Sequence, residues 1–277
     1  MSEVTSGLVE LTKEHRATAV RVDGAVAWIT IGNAATKHAI GSDFFSEMLR
    51  LMEAIDLDES IRVVVLVGEA GRFSTGGDIR GMADRNAAGT TISDILTTAG
   101  ALDYAPRLYR AMLRLGQPII ACVTGDAVGA GATLAMHCDI VLAAASARFG
   151  DPHVRLGLAA PGAYIWPRSV AVNVAKEYLL TGDLLSAQDA HRVGIANHVY
   201  DDANLIDQTT ALAGRLASGA PHAIRWTKRL LNAAALSQQD SLYEMGLAHE
   251  LLSMTTDDHR EAVDAFVNRR PAQFHGK

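Results

Sequence analysis

Short runs of apolar, largely β-branched residues, each separated from the next by a helical pattern, constrain this chain more than any other feature. Val26-Ala27-Trp28-Ile29-Thr30-Ile31 and Val63-Val64-Val65-Leu66-Val67 both end at glycine. Between them Ser42 opens a segment with Phe45, Met48, Leu49, Met52 and Ile55 at helical spacing. The pattern returns as Pro118-Ile119-Ile120-Ala121-Cys122-Val123, a helix over about Ala130 to His137, then Asp139-Ile140-Val141-Leu142-Ala143-Ala144. Continuous apolar strands joined by helices predict an α/β fold whose mostly parallel sheet is covered on both faces. After residue 165 strand signals thin out and helices dominate. Ser186-Ala187-Gln188-Asp189 has the form of a capping box and Gly194 that of a C-terminal stop. Thr255-Thr256-Asp257-Asp258 opens a last helix carrying Ala262, Phe266 and Val267. The stretch from Gly81 to Gly100, rich in small and polar residues, reads as the most mobile part.

Two glycine-rich turns follow strands of this set. They are Phe73-Ser74-Thr75-Gly76-Gly77-Asp78 and Gly125-Asp126-Ala127-Val128-Gly129-Ala130-Gly131. Either alone has a plain structural reading, because glycine serves tight turns. Together they can aim backbone N–H groups at one carbonyl oxygen, the second from a helix start where N–H groups lack intrahelical acceptors. Such preorganised donors stabilise a developing oxyanion by around 3 kcal/mol each, which points to acyl-thioester chemistry. A phosphate cradle is the rival reading, but neither turn is followed by Gly-Lys-Ser/Thr and the spacing is not Gly-x-Gly-x-x-Gly.

Composition removes other classes. A net charge of −6 over 277 residues supplies no basic field to gather nucleic acid. Apolar residues at 49% and charged residues at 20% suit a globular core. Cys122 lies inside an apolar run and Cys138 after a helical pattern, and both read as reduced and buried, so no disulfide is expected. The N-terminus lacks the marks of a signal peptide and no long apolar run occurs, so a cytoplasmic protein without membrane contact is expected. No metal site is expected.

Several ordered blocks resemble the crotonase superfamily, the enoyl-CoA hydratase/isomerase group, over about residues 18–276. Phe73 to Met82 is similar to the family's Phe-Ser-Ala-Gly-Ala-Asp-Leu-Lys-Glu-Met block. Gly125 to Asp139 is similar to its Gly-x-Ala-x-Gly-Gly-Gly-x-Glu-Leu-Ala-x-x-Cys-Asp block. The resemblance continues through Ala147-Arg148-Phe149-Gly150, Leu180-Thr181-Gly182, Gly194-Ile195-Ala196-Asn197 and Ala265-Phe266-Val267. It implies a spiral of β-β-α units over residues 1–200 holding the CoA and oxyanion site, and a helical region over 201–277 for assembly as a trimer or a dimer of trimers. It further implies an acyl-CoA substrate with no separate cofactor, and Gly77 and Ala130 as the oxyanion donors. CoA and substrate contacts would come from Lys37, His38, Ala39, Thr75, Asp78, Ile79, Arg80 and Tyr164, and from Phe266 and Arg269 reaching a neighbouring subunit's CoA. Read without the family, Phe266 is core, the arginines are surface charge and Asp78 holds its turn.

The departures concern the chemistry. Where hydratases of the family carry two glutamates, this chain has Thr133 and His153. Histidine can serve as base or acid near neutrality. The Thr133 hydroxyl can orient water or bond its own i−4 carbonyl. Asp151 is a further acidic candidate or a turn residue before Pro152. Tyr164-Ile165-Trp166 replaces a Gly-Gly-Thr-like run and would reshape the acyl pocket, with Trp166 either core or substrate contact. Three functions follow: hydration or dehydration of an enoyl-CoA, hydrolysis of an acyl-CoA or β-diketone with His153 activating water, and acyl-CoA binding without catalysis.

Overall fold

The computed structural model describes residues 17–32, 39–69, 71–87 and 104–277. Numbering the described elements in chain order, β1 (Thr18–Asp23) and β2 (Val26–Ile31) form an antiparallel hairpin. Then come β3 (Ala39–Ile40), α1 (Ser42–Asp56), β4 (Val63–Val67), β5 (Gly76–Gly77), α2 (Ile79–Ala87) and α3 (Tyr104–Arg114). The next group is β6 (Ile119–Val123), β7 (Ala127–Val128), α4 (Ala130–Met136), β8 (Ile140–Ala144) and β9 (Arg148–Gly150), followed by 3₁₀ segments His153–Leu156 and Pro161–Arg168. The chain continues through α5 (Val172–Thr181), β10 (Leu185–Ser186), α6 (Ala187–Val193), β11 (His198–Tyr200), α7 (Leu205–Ala217), α8 (Pro221–Ser253) and α9 (Asp257–Val267).

The six-stranded sheet has the order β1-β2-β4-β6-β8-β11 and is parallel except for the first hairpin. Its central strand is covered on both faces, since Val63, Val64, Val65 and Leu66 are all fully buried. That is why the run shows no alternation. Each long strand is followed by a short one in a second layer, where β3 pairs with β5 and β7 with β9. The repeating unit is therefore β-β-α, a crotonase-like spiral, and the β-α-β reading of the strand pattern alone is corrected on this point. The short strands are two or three residues long and leave no periodic trace.

On α1, Phe44, Met48, Leu49, Leu51, Met52 and Ile55 turn inward and the helix packs on α3. Ser186 caps α6 by accepting from the Asp189 N–H, and Gly194 ends it in the left-handed conformation, as the capping pattern predicts. Residues 81–87, within the stretch read as mobile, belong to α2, and residues 88–103 lie outside the described residues.

Beyond β11 the described chain is helical. The 33 residues of α8 extend about 50 Å and pack on α3 and on Pro161–Arg168. Its inward stripe is polar. Lys228 donates to the Gln117 carbonyl at 2.8 Å and pairs with Asp139 at 2.7 Å, and Asn232 donates to the Leu113 carbonyl at 3.1 Å. Gly246 lets the helix pass Pro161, where an added Cβ would come within 2.9 Å of its Cα. The last helix, α9, opens on the Thr256 side-chain cap and packs against α2 and His153–Leu156. The His259 ring Nδ1 meets the Leu156 carbonyl at 2.8 Å.

Candidate active site

The spiral brings the two glycine-rich turns side by side. Ser74 N–H donates to the Asp126 carbonyl at 2.9 Å, and Val128 N–H donates to the Ser74 carbonyl at 3.0 Å. Gly76, at φ +83°, lies so close that a Cβ on it would stand 2.7 Å from the Val128 oxygen and 3.6 Å from the Ala130 nitrogen. Gly131 is equally constrained, because a Cβ there would meet Ser74 at 2.7 Å. The two turns thus touch through backbone. Ala130 is the first residue of α4, so its N–H has no acceptor within the helix.

The strand after the second turn delivers a histidine to it. Gly129 N–H donates to the Gly150 carbonyl at 2.9 Å, and the His153 Cε1 would be 3.5 Å from a Cβ on Gly129. The Asp151 carboxylate accepts from the His153 backbone N–H at 3.3 Å and contacts the ring Nδ1 through the same oxygen. On the other side of the ring, Nε2 stands 3.5 Å from a carboxylate oxygen of Glu250, carried by α8. Asp151 is 1% exposed and Glu250 8%. The second Asp151 oxygen is buried without a hydrogen-bond partner. Burial opposes a charge on His153, but Asp151 and then Glu250 outweigh it, and the pKa is pushed up to about 10. The ring is therefore a cation at neutral pH. Of the two roles open to His153, base or acid, a ring that holds its proton suits the acid.

Thr133, on α4, is buried, and its hydroxyl donates to the Gly129 carbonyl at 3.2 Å. Gly162 presses on that hydroxyl, since an added Cβ would lie 2.1 Å away. Of the two readings open for Thr133, the structure shows the i−4 backbone bond.

Behind Thr133 lies His137, which the sequence reading passed over. Its Nδ1 meets the Thr133 carbonyl at 2.6 Å and its Nε2 the Tyr164 hydroxyl at 2.6 Å. A carbonyl can only accept, so Nδ1 carries the proton and the Tyr164 hydroxyl donates to Nε2. Burial lowers the His137 pKa most, and it falls to about 4 despite the Thr133 bond. Its ring stacks on Tyr109, with centroids 4.2 Å apart. An unfolded histidine takes up a proton near pH 6.5, whereas folded His137 does so only near 4. Stability from this group is fully present above about 6.5 and is lost as the pH falls towards 4, by about 3 kcal/mol. Urea unfolding of the protein and of His137→Phe at pH 7 and pH 4.5 should show the acid loss shrinking in the variant; an equal loss in both would contradict this.

The other predicted residues divide by location. Thr75, Asp78 and Ile79 lie along the first turn and the start of α2, and the backbone of Ala39 pairs with Gly76 in the short layer. Lys37 and His38, and the side chain of Arg80, lie outside the described residues. Phe266 is 56% exposed near the end of α9, which corrects its reading as core, and Arg269 is exposed just beyond it at φ +54°. Trp166 is fully buried, in keeping with a core role. Among the described residues, no cluster of side chains could hold a metal ion and no helix is long and apolar enough to cross a membrane.

Paired backbone turns on a β-β-α spiral, with titratable groups against the second turn, define a crotonase-type enzyme fold. A sequence model of the enoyl-CoA hydratase/isomerase family matches residues 21–277, and the chain belongs to that family. It is similar to 2,3-dehydroadipyl-CoA hydratase of Escherichia coli, 31% identical over 258 residues, 91% of this chain and 96% of that one. It resembles 1,2-epoxyphenylacetyl-CoA isomerase of the same organism at 31% identity, covering 92% and 97% of the two chains. The crystal structure of an enoyl-CoA hydratase/isomerase from Mycobacterium paratuberculosis superposes with a TM-score of 0.81 at 32% identity, covering 89% of this chain and 97% of that one.

Proposed function

We propose that this protein hydrates an enoyl-CoA, or dehydrates the corresponding 3-hydroxyacyl-CoA, through a thioester enolate. The observation that carries the reading is the His153 ring held between Asp151 and Glu250 beside the second glycine turn. The N–H groups of Gly77 and Ala130 receive the thioester oxygen, where charge accumulates as the enolate forms. Two carboxylates and one imidazolium carry one net negative charge and one proton ready for transfer. A pair of glutamates sharing one proton has the same balance, so the chain keeps the charge although positions 133 and 153 hold no carboxylate.

In the hydration direction, Glu250 takes a proton from water as the water oxygen bonds to Cβ, and His153 gives its proton to Cα. Glu250 then returns a proton to His153 across their short separation, and the cycle closes. Thr133 holds the Gly129 carbonyl, which fixes the turn before Ala130. The cationic ring counts against the hydrolase alternative, because a protonated imidazole has no lone pair with which to activate water. The CoA thioester is itself the substrate and no further cofactor enters the cycle. Lys37, His38, Ala39, Thr75, Asp78, Ile79 and Arg80 are assigned to holding the CoA moiety, in a cytoplasmic trimer or dimer of trimers. Residues 201–277 form the assembly region, from which Phe266 and Arg269 reach a neighbouring subunit's CoA.

The test is a panel of enoyl-CoA thioesters of increasing chain length, followed by loss of the conjugated thioester absorbance. Turnover of at least one member, with a 3-hydroxyacyl-CoA product by mass spectrometry, is the expected result. Release of free CoA or a ring-opened acid would favour the hydrolase, and tight binding of every ester without product would favour the non-catalytic alternative.

A further inference from the structure

A cavity of about 580 Å³ opens at the edge of the sheet where the parallel strands β6 and β8 begin. The second glycine turn follows the opposite end of β6, a strand of five residues, so the two lie about 16 Å apart along it. The cavity is therefore separate from the paired turns. Its apolar walls are Leu113, Met136, Ile140, Leu216, Ile224 and Leu231, contributed by α3, α4, β8, α7 and the first turns of α8. Small-molecule sites have this size and this mainly apolar lining, with a few polar groups that fix the ligand's orientation.

The charged groups of the lining are Asp139, Arg168 and Lys228. Lys228, 7% exposed, donates to the Gln117 carbonyl at 2.8 Å and pairs with Asp139 at 2.7 Å. Asp139 is committed to that place, because the same oxygen also accepts from the Ile119 N–H at 2.7 Å. An ammonium has three protons, and these two contacts leave one of them. Arg168 is less well served. Among the described residues its hydrogen bonding is limited to one long contact, 3.4 Å to the Asn232 amide oxygen, and no carboxylate pairs with it. Burial is the largest influence on its pKa and lowers it, while Asp139 attracts the guanidinium from beyond ion-pairing distance. His137 adds no charge, since both its ring nitrogens are bonded and its pKa is about 4. Two cations and one carboxylate leave the cavity with one uncompensated positive charge.

We propose that this cavity binds a free monocarboxylic acid with an apolar body, its carboxylate on Arg168 and the remaining Lys228 proton and its body against the apolar walls. A guanidinium matches a carboxylate in paired hydrogen bonds, and one carboxylate brings the cavity to neutrality. A phosphate dianion would leave excess negative charge beside Asp139. A bare inorganic anion would leave the apolar walls uncovered. The site does not depend on the reaction proposed above.

The experiment is calorimetric titration of the full chain at pH 7.5 with octanoate and with octanamide, its neutral counterpart. Octanoate is expected to bind about tenfold more tightly or better, the usual gain from a hydrogen bond to a charged group. Arg168→Gln should close that gap, and Ile224→Trp, which fills the cavity, should weaken both ligands, each variant being checked for a thermal transition like the parent's. Equal binding of the two ligands by the parent, or no binding, overturns the site without recourse to any variant. Retention of the octanoate preference in folded Arg168→Gln would also overturn it, and would place the acid at the thioester site instead. Unchanged binding by folded Ile224→Trp would do the same. A smaller assembly of Arg168→Gln in sedimentation, with no octanoate bound by the parent, would assign Arg168 to a carboxylate of a second copy.

Discussion

Glu250→Gln is expected to lower kcat by about 10²–10⁴-fold, the range for loss of a positioned acid–base group, with little change in KM. The substitution keeps the shape of the side chain and removes only its capacity to take the proton from water. His153→Ala should lose as much activity, but it is a less clean variant. It leaves Asp151 and Glu250, 1% and 8% exposed, facing each other without the cation between them. Breaking a buried ion pair in this way costs about 3–5 kcal/mol of stability, so its kcat must be read well below its own unfolding transition. Asp151→Asn separates the two effects, since Asp151 is the largest influence holding the proton on His153. Its alkaline limb of kcat should move to lower pH while the protein stays folded. Glu250→Gln with unchanged kcat on an enoyl-CoA would falsify the assignment of Glu250 as the base.

Ala130→Pro is expected to reduce kcat by roughly 10²–10³-fold, the usual consequence of deleting one oxyanion-hole donor. Ala130 is the first residue of α4, the position at which proline is best tolerated, because its missing N–H has no helical partner to lose. Gly129 before it, at φ +56° and ψ −119°, is already outside the helical region that proline disfavours in its predecessor. The variant replaces that N–H with a ring methylene, so the donor is lost and its place beside the thioester oxygen is taken by carbon. A thermal transition close to the parent's, with kcat reduced and KM raised by the ring carbon at the oxygen's position, is the expected pattern. Full activity in a folded Ala130→Pro protein would mean that the thioester oxygen lies elsewhere.

The parts of the fold governed by local pattern were legible in the sequence. Val63 to Val67 lacks alternation because both faces are covered, and the caps at Ser186, Gly194 and Thr256 follow from the chemistry of helix ends. What escaped was non-local. A two-residue strand such as Gly76–Gly77 exists only because Ala39–Ile40 lies beside it, and no window of the chain records that. Thr133 and His153 were found through motif position, and they do lie against the second turn. Glu250 was not, because it reaches His153 from a helix about a hundred residues later, and its acidic side chain resembles any exposed one. The signal that could have found it is the row Gln239, Tyr243, Gly246, Glu250, where polar residues occupy core-facing spacing. His137 escaped for a related reason, since a histidine just beyond a short helix shows its role only once Tyr164 packs over it.

The central claim is that His153 is a cation clamped between two carboxylates in the resting protein, and its imidazole titration followed by NMR tests that most directly. The account predicts a protonated ring from pH 6 to beyond pH 8, losing its proton near the value of about 10 set by Asp151 and Glu250. With a folded pKa above the unfolded one, its contribution to stability is full below about pH 6.5 and is lost as the pH rises through about 10. A ring already neutral at pH 7 would contradict the account and return the proton-accepting role to His153 itself.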